Sequence, residues 1–219
     1  HITEVEETSE ARNRLIHALS HEMKTPVTAI CGYAYALRSV KMNEEQKSEA
    51  LEFIDLETRR LERLSGKLTQ LVGLTSKNIE LVEVELSELE QQMKKILAGK
   101  SGITVQAEAG TIQGDQDLLL MLLTNLCDNA KKAGATRIEV TLSPEKIRVK
   151  DNGKGIEKEE QEHIFEAFYQ GDSSRNQEGF GLGLALCQKI ARLHHMELCV
   201  ESQPGTGTTF YLYKSLTTR

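Results

Sequence analysis

Tryptophan is absent from this 219-residue chain and proline occurs only 3 times, which excludes a proline-rich scaffold. Cysteine is scarce as well. Cys31, Cys127, Cys187 and Cys199 stand far apart, with no C-x-x-C pair, so neither a disulfide framework nor a zinc knuckle is expected and a reducing compartment fits. Long apolar runs are missing. The longest fall far short of the roughly 20 residues that a bilayer-crossing helix needs, so no membrane contact is expected from this stretch. The opening HITEVEETSE is polar and acidic, unlike a secretory leader. Positive charge is not in excess either. Lys plus Arg is 27 against 33 Asp plus Glu, a net charge of -6, which argues against a dedicated nucleic-acid binder. What remains is 39% hydrophobic and 27% charged. That composition suits a packed core, and the length suits one large domain or two small ones.

The two halves carry different periods. Up to about residue 76, apolar positions recur in steps of three and four: Leu15, Leu19, Met23, Val27, Ile30, Ala34 and Leu37, then Leu51, Ile54, Leu61, Leu64, Leu68 and Leu71. The spacing predicts two long helices broken around Val40 to Glu44 and folded as an antiparallel hairpin. A lone hairpin covers one side of each stripe, so a second copy completing a four-helix bundle is expected, that is, a homodimer. From residue 77 onward the pattern is mixed. Strands are expected at Leu81 to Leu86, Ile103 to Ala107, Arg137 to Leu142, Lys146 to Lys150, Glu197 to Ser202 and Thr208 to Tyr213. Helices are expected from Ser87 (as N-cap) to Leu97, from Asp115 to Ala133, from Glu157 to Ile164 and from Gly181 to His194. This is an α+β class, an α/β sandwich of one sheet backed by helices. Thr75 to Asn78 is the expected hinge.

The first helix contains Ser20-His21-Glu22-Met23-Lys24-Thr25-Pro26. Pro26 cannot donate to the carbonyl of Glu22, and a mid-helix proline costs about 3 kcal/mol, which calls for a reason. Thr25 lies four residues after His21, on the same face and roughly 5–6 Å away at Cβ. Glu22 points about 100° around the helix, yet its side chain can reach the ring. A carboxylate on one imidazole nitrogen fixes the tautomer and leaves the other nitrogen a free lone pair, as a nucleophile requires. His17, four residues earlier, would make a metal pair, but no third ligand is evident. His194-His195 ends a helix, where a cation suits the dipole, and reads as structural.

Three stretches of the second half suit a nucleotide. In Asn125-Leu126-Cys127-Asp128-Asn129-Ala130-Lys131-Lys132, the two asparagines share one helix face and Lys132 lies on the same side. Amide oxygens are hard ligands suited to Mg²⁺ bridging phosphates, and the lysine can reach a phosphate. Asp151-Asn152-Gly153-Lys154-Gly155 follows a strand. A carboxylate there can accept from an exocyclic amine such as that of adenine, with glycines allowing a flat ring close to the backbone. The same residues also make a common turn. Gly179-Phe180-Gly181-Leu182-Gly183-Leu184 precedes a helix, where backbone N–H groups meet phosphate oxygens. No strand precedes it, so the dinucleotide fingerprint does not apply.

In this order the motifs resemble the catalytic core of a bacterial two-component sensor histidine kinase. Ser20 to Pro26 is similar to the family's H box, Asn125 to Lys132 to the N box and Asp151 to Gly155 to the first glycine box. Phe165 to Phe168 is similar to the F box, Gly179 to Leu184 to the second glycine box, and Gly205-Thr206-Gly207 to its closing turn. The resemblance implies a dimerisation and phosphotransfer hairpin over 1–76. It also implies, over 77–219, an ATP-binding domain of the type shared with Hsp90, gyrase and MutL. It further implies that His21 accepts the γ-phosphoryl of ATP, that Glu22 orients and deprotonates it, and that Thr25 serves dephosphorylation of the partner. Asn129, helped by Asn125, would bind Mg²⁺, and Lys132 would contact the phosphates. Asp151 would read adenine beside Gly153 and Gly155, while Gly179, Gly181 and Gly183 would shape the cover over the phosphates. The implied partner is a response-regulator receiver domain. The implied setting is cytoplasmic, with a sensor anchored in the cell membrane preceding this region.

Two residues depart from the family pattern. The F box often continues Phe-Tyr-Arg, whereas here Phe168-Tyr169-Gln170 carries a neutral amide that cannot replace a guanidinium in charge stabilisation. Arg175, in the following loop, is the expected substitute. The N box usually ends in Lys and an aromatic ring. Here Ala133-Gly134-Ala135 follows Lys132, so that wall of the adenine pocket must be built differently.

Overall fold

The computed structural model describes residues 2–74, 79–171 and 179–214, with side chains from Ile16 onward. The chain forms two compact units, residues 1–70 and 71–219. The expected hinge at Thr75 to Asn78 lies outside the described residues.

Two helices, α1 (Ile2–Ser39) and α2 (Glu44–Gly73), make the hairpin. Asn43 starts α2 with reciprocal bonds: its Oδ1 accepts from the Gln46 N–H at 2.8 Å and its own N–H donates to Gln46 Oε1 at 3.1 Å. This capping box satisfies two groups that a helix start leaves unpaired. Pro26 lies inside α1 without ending it. The apolar stripes are only partly covered by the hairpin itself. Ala50 and Leu64 are buried, whereas Met23 and Val27 each keep 44% of their surface and Leu51 keeps 58%.

The second unit is built on a five-stranded sheet. It comprises β1 (Val82–Glu85), α3 (Leu86–Ile96), β2 (Ile103–Ala107), β3 (Thr111–Gly114), α4 (Gln116–Lys132), β4 (Ile138–Leu142), β5 (Lys146–Asp151), α5 (Gly183–Leu193), β6 (Met196–Gln203) and β7 (Gly207–Lys214). The sheet order is β2-β4-β5-β7-β6, with β2 and β4 parallel and the remaining pairs antiparallel. Strand alternation sends Val105, Ile138, Val140, Ile147, Val149, Phe210 and Leu212 into the core. Leu89 and Met93 of α3, Leu119 to Leu126 of α4, and Leu186 and Ile190 of α5 join them there.

Four details differ from expectation. Strand β3 was not foreseen; it pairs antiparallel with β1 as a separate two-stranded sheet. Ser87 is not an N-cap. Helix α3 starts two residues earlier, with Glu85 at the N-cap position but making no side-chain cap bond; the Leu86 N–H donates to the Gly110 carbonyl instead. The helix expected over Glu157 to Ile164 is instead a run of overlapping turns. Gln161 pins that run by donating to the Ile156 and Ser202 carbonyls. Finally, His194 is no surface cation. It is 4% exposed, its Nε2 accepts the Asp115 N–H at 2.9 Å, and Nδ1 lies 2.8 Å from the Ile190 carbonyl. One nitrogen accepting and the other donating is the pattern of a neutral ring. It ties the end of α5 to the start of α4.

Candidate functional site

The hairpin presents His21 almost free of its surroundings, with 81% of its side chain exposed. Nδ1 lies 3.9 Å from Glu22 Oε1, within ion-pair reach but too long for a hydrogen bond. The other ring nitrogen is left for an incoming electrophile. Thr25 is exposed on the same turn, its Oγ1 donating to the His21 carbonyl at 3.4 Å. Glu22 also faces α2. Its Oε2 lies 3.7 Å from Arg60 Nη2, and Arg60 Nη1 lies 4.0 Å from Glu57 Oε2. Sequence reasoning missed Arg60, because a charge on a helix reads as solvated. A signal existed in the hairpin arithmetic. Glu22 lies 39 − 22 = 17 residues before the end of α1 and Arg60 lies 60 − 44 = 16 after the start of α2, which places them opposite each other. Among the described residues no cluster of three metal-ligating side chains occurs, so His17 and His21 gain no third ligand.

In the second unit, α4 buries Leu119, Leu123, Leu126 and Cys127, which leaves Asn125, Asn129 and Lys132 together on an adjoining face of the helix. Burial pushes the Cys127 thiol up to about 12, so this cysteine inside the motif is inert. Asp115 caps the helix, its Oδ1 accepting the Leu118 N–H at 3.0 Å. Asn125 donates to the Met121 carbonyl at 2.9 Å. The buried Nδ2 of Asn129 has no hydrogen-bond partner among the described residues, an unmet demand in a buried position.

The other motifs converge on this helix. Gly183 opens α5 directly against the asparagines. A Cβ there would lie 3.4 Å from Asn129 Oδ1 and 3.6 Å from Asn125 Oδ1. At Gly179 a Cβ would lie 3.5 Å from Lys132 Nζ. Gly181 adopts φ +64 and presses on the Phe168 and Tyr169 backbone, a conformation only glycine takes easily. Phe168, also at positive φ, donates its N–H to the Gly181 carbonyl at 3.0 Å. Gln170, the departure from the family pattern, donates Nε2 to the Gly179 carbonyl at 2.7 Å. Its amide is therefore committed to the backbone of the second glycine box. Arg175 lies outside the described residues, as does most of the loop expected over Gly171 to Glu178.

Asp151 ends β5 and is 6% exposed. Burial raises its carboxyl above the usual range, opposed by N–H groups of Gly153, at 2.7 Å, and Thr208. Gly153 lies against Ala133, where a Cβ would come 3.0 Å from both its Cβ and its carbonyl oxygen. The Lys154 N–H donates to that same carbonyl at 3.0 Å. Ala133, which stands where the family usually carries an aromatic ring, therefore packs against the turn at Gly153 and Lys154. Gly155 abuts the Gln203 carbonyl, and Gly207, at φ +126, abuts that of Asp151. The closing turn thereby braces the strand end that carries the carboxylate. Asn152 points away, accepting from the Thr136 and Arg137 N–H groups.

Two family models match this chain. The model of the His Kinase A (phospho-acceptor) domain matches residues 11–77. That of the histidine kinase-, DNA gyrase B-, and HSP90-like ATPase matches residues 114–218. The sensor-like histidine kinase SenX3 of Mycolicibacterium smegmatis is 33% identical over 92% of this chain and 56% of its own length. The sensor histidine kinase YkoH of Bacillus subtilis is 30% identical over 93% of this chain and 48% of its own. The chain spans about half the length of the curated relatives it matches. Among solved structures, full-length ShkA in complex with AMPPNP is 27% identical, with a TM-score of 0.61 over 91% of this chain and 45% of that one. Histidine kinase ThkA in complex with the response regulator protein TrrA shares the fold, with a TM-score of 0.71 and 23% identity over 99% of this chain and 67% of that one.

Proposed function

We propose, for a chain that belongs to the two-component sensor histidine kinases and carries their catalytic core, ATP-dependent phosphorylation of His21 followed by transfer to a response-regulator aspartate. The observation that carries the reading is the convergence of Asn125, Asn129 and Lys132 on Gly179 and Gly183, in a chain whose hairpin offers an exposed histidine. The partnerless amide of Asn129 supports the nucleotide reading, because phosphate oxygens and their hydrated cation would supply what the protein does not. Asn129, aided by Asn125, would hold Mg²⁺, which neutralises charge on the phosphates when bound. The ATP-binding family model and the AMPPNP bound by ShkA support ATP as substrate. The complex of ThkA with TrrA supports a receiver-domain partner.

The chain's own groups set the chemistry. Glu22 faces Nδ1, and by closing to hydrogen-bond distance it would keep the ring proton there and leave the lone pair on Nε2. Nε2 attacks the γ-phosphorus. A P–N bond forms, the bond from phosphorus to the bridging oxygen breaks, and its electron pair leaves on ADP. The positive charge left on the ring is shared with Glu22 through the Nδ1 proton. Lys132 and the backbone N–H groups at the start of α5 stabilise the phosphate charge. Asp151 accepts the adenine amine, with Gly153 and Gly155 giving the ring access to the backbone. Thr25, on the turn of His21, would position the water that dephosphorylates the regulator. The hairpin would pair with a second copy through Met23, Val27 and Leu51, as its exposed stripe and the phospho-acceptor family model support.

Incubation with labelled ATP and Mg²⁺ tests this. Acid-labile, base-stable label is expected on the parent and absent from His21→Gln, with ATP affinity unchanged. Thr25→Ala should label normally and release phosphate from a phosphorylated receiver more slowly. Label that persists in His21→Gln would refute the assignment.

A further inference from the structure

The catalytic carboxylate is shared between the two helices of the hairpin. Glu22 turns one oxygen to the His21 ring and the other to Arg60 on α2. The guanidinium is in turn divided, one nitrogen toward Glu22 and one toward Glu57. Glu57 keeps only 12% of its side-chain surface, and its Oε2 is buried without a hydrogen bond among the described residues. That buried oxygen lies within ion-pair distance of the guanidinium, which ties the position of Arg60 to the packing of α2. A guanidinium has a planar, rigid fork and stays charged at any pH a protein tolerates. It can face two carboxylates at once and hold each in a fixed direction.

We infer that Arg60 is a positioning residue for phosphoryl transfer. By holding Oε2 of Glu22 it keeps Oε1 directed at Nδ1 of His21, and it makes that orientation depend on the register of α2 against α1. The inference rests on the proposed role of His21 and Glu22 and deepens it. A partly exposed glutamate with neither oxygen anchored samples several rotamers. Anchoring one oxygen removes most of them and leaves the other in place for the ring proton. The expense of ordering the side chain is then met in the folded hairpin rather than at the moment of reaction. Sliding or rotation of α2 would move the guanidinium and release Glu22, so a change of helix packing would reach the nucleophile through a single side chain.

The experiment is a double-mutant cycle on the whole chain, reading the single-turnover rate of His21 phosphorylation, the KM for ATP, helical content and dimer mass. Arg60→Gln should slow labelling about tenfold at unchanged KM, well within what a misplaced catalytic group costs. In a Glu22→Gln background the same change should add less than about twofold, because there is no longer a carboxylate to position. Arg60→Lys, which keeps the charge but loses the fork, should fall between, and it carries the cycle where Arg60→Gln folds poorly. Equal losses in both backgrounds, a loss that follows helical content or dimer mass, or no loss at all would overturn the inference. A parent that takes up no label on His21 would overturn the functional reading and this inference with it.

Discussion

The hairpin and the nucleotide-binding unit solve opposite problems with similar residues. The second unit finishes its own core: helices α3, α4 and α5 and one face of the sheet bury a continuous apolar cluster. Its key acid, Asp151, is sunk to 6% exposure. The hairpin leaves large apolar side chains half open and its candidate nucleophile, His21, at 81%. A buried acceptor suits a ligand that enters a pocket and stays oriented. An exposed nucleophile suits a group that must meet two bodies in turn, first a nucleotide and then a receiver domain. On the proposed reading, each half meets its complement accordingly: a small molecule in one, other protein surface in the other.

The strongest way to break the contrast is to remove the buried charge. Asp151→Asn should cost about 3 kcal/mol in ATP binding, roughly a hundredfold in Kd, the upper range for a hydrogen bond to a charged group. It should also raise the melting temperature of the nucleotide-free domain. The sign follows from the raised carboxyl of Asp151. Its contribution to stability is present below the unfolded-state value and lost as pH rises through the higher folded one. At neutral pH the ionised group is therefore a liability to the free fold. ATP affinity of the parent should fall as pH drops through the raised range, since a protonated carboxyl accepts the amine poorly. Calorimetric titration against pH, paired with melting curves, reads both effects. A variant that binds ATP as well as the parent would end the adenine assignment.

The hairpin offers the converse test. Val27→Lys should weaken self-association by about 1.5–3 kcal/mol per lost apolar contact, with ATP affinity untouched. Sedimentation equilibrium gives the dimer constant, and an unchanged constant would place the interface elsewhere. Smallest is the helix start. Asn43→Ala should lower hairpin stability by about 1 kcal/mol and leave the nucleotide unit unaffected, seen as a shift of the helical melting transition alone.

The legibility of these features follows the range of the forces behind them. Six strands and the long helices could be read because alternation and the 3.6 period are local. The start of α4 at Asp115 was readable for the same reason. Strand β3 was not, because Thr111 to Gly114 becomes a strand only through pairing with β1, more than twenty residues upstream. The turns over 157–164 fooled a helical pattern because Gln161 spends its amide on Ser202, a distant partner. His194 reads as structural and is so, yet its role as an acceptor could not be read, because that depends on Asp115, 79 residues away. The site motifs were all visible, yet their meeting was not. Nothing local says that Gly183 abuts Asn129, or that Arg60 faces Glu22. Gln170 looked like a lost charge, and only the fold shows its amide occupied by Gly179.

The sunken carboxylate of Asp151 has one more consequence, for discrimination among purines. On the proposed reading it awaits an amine. Guanine presents a carbonyl oxygen at the equivalent ring position, and two acceptors would then meet in a place shielded from water. Neither could recover the hydrogen bond it gave up on entry, and such mismatches separate substrates far better than added contacts do. The domain would distinguish ATP from GTP by refusal, and the refusal is sharpest in the pH range where Asp151 is ionised.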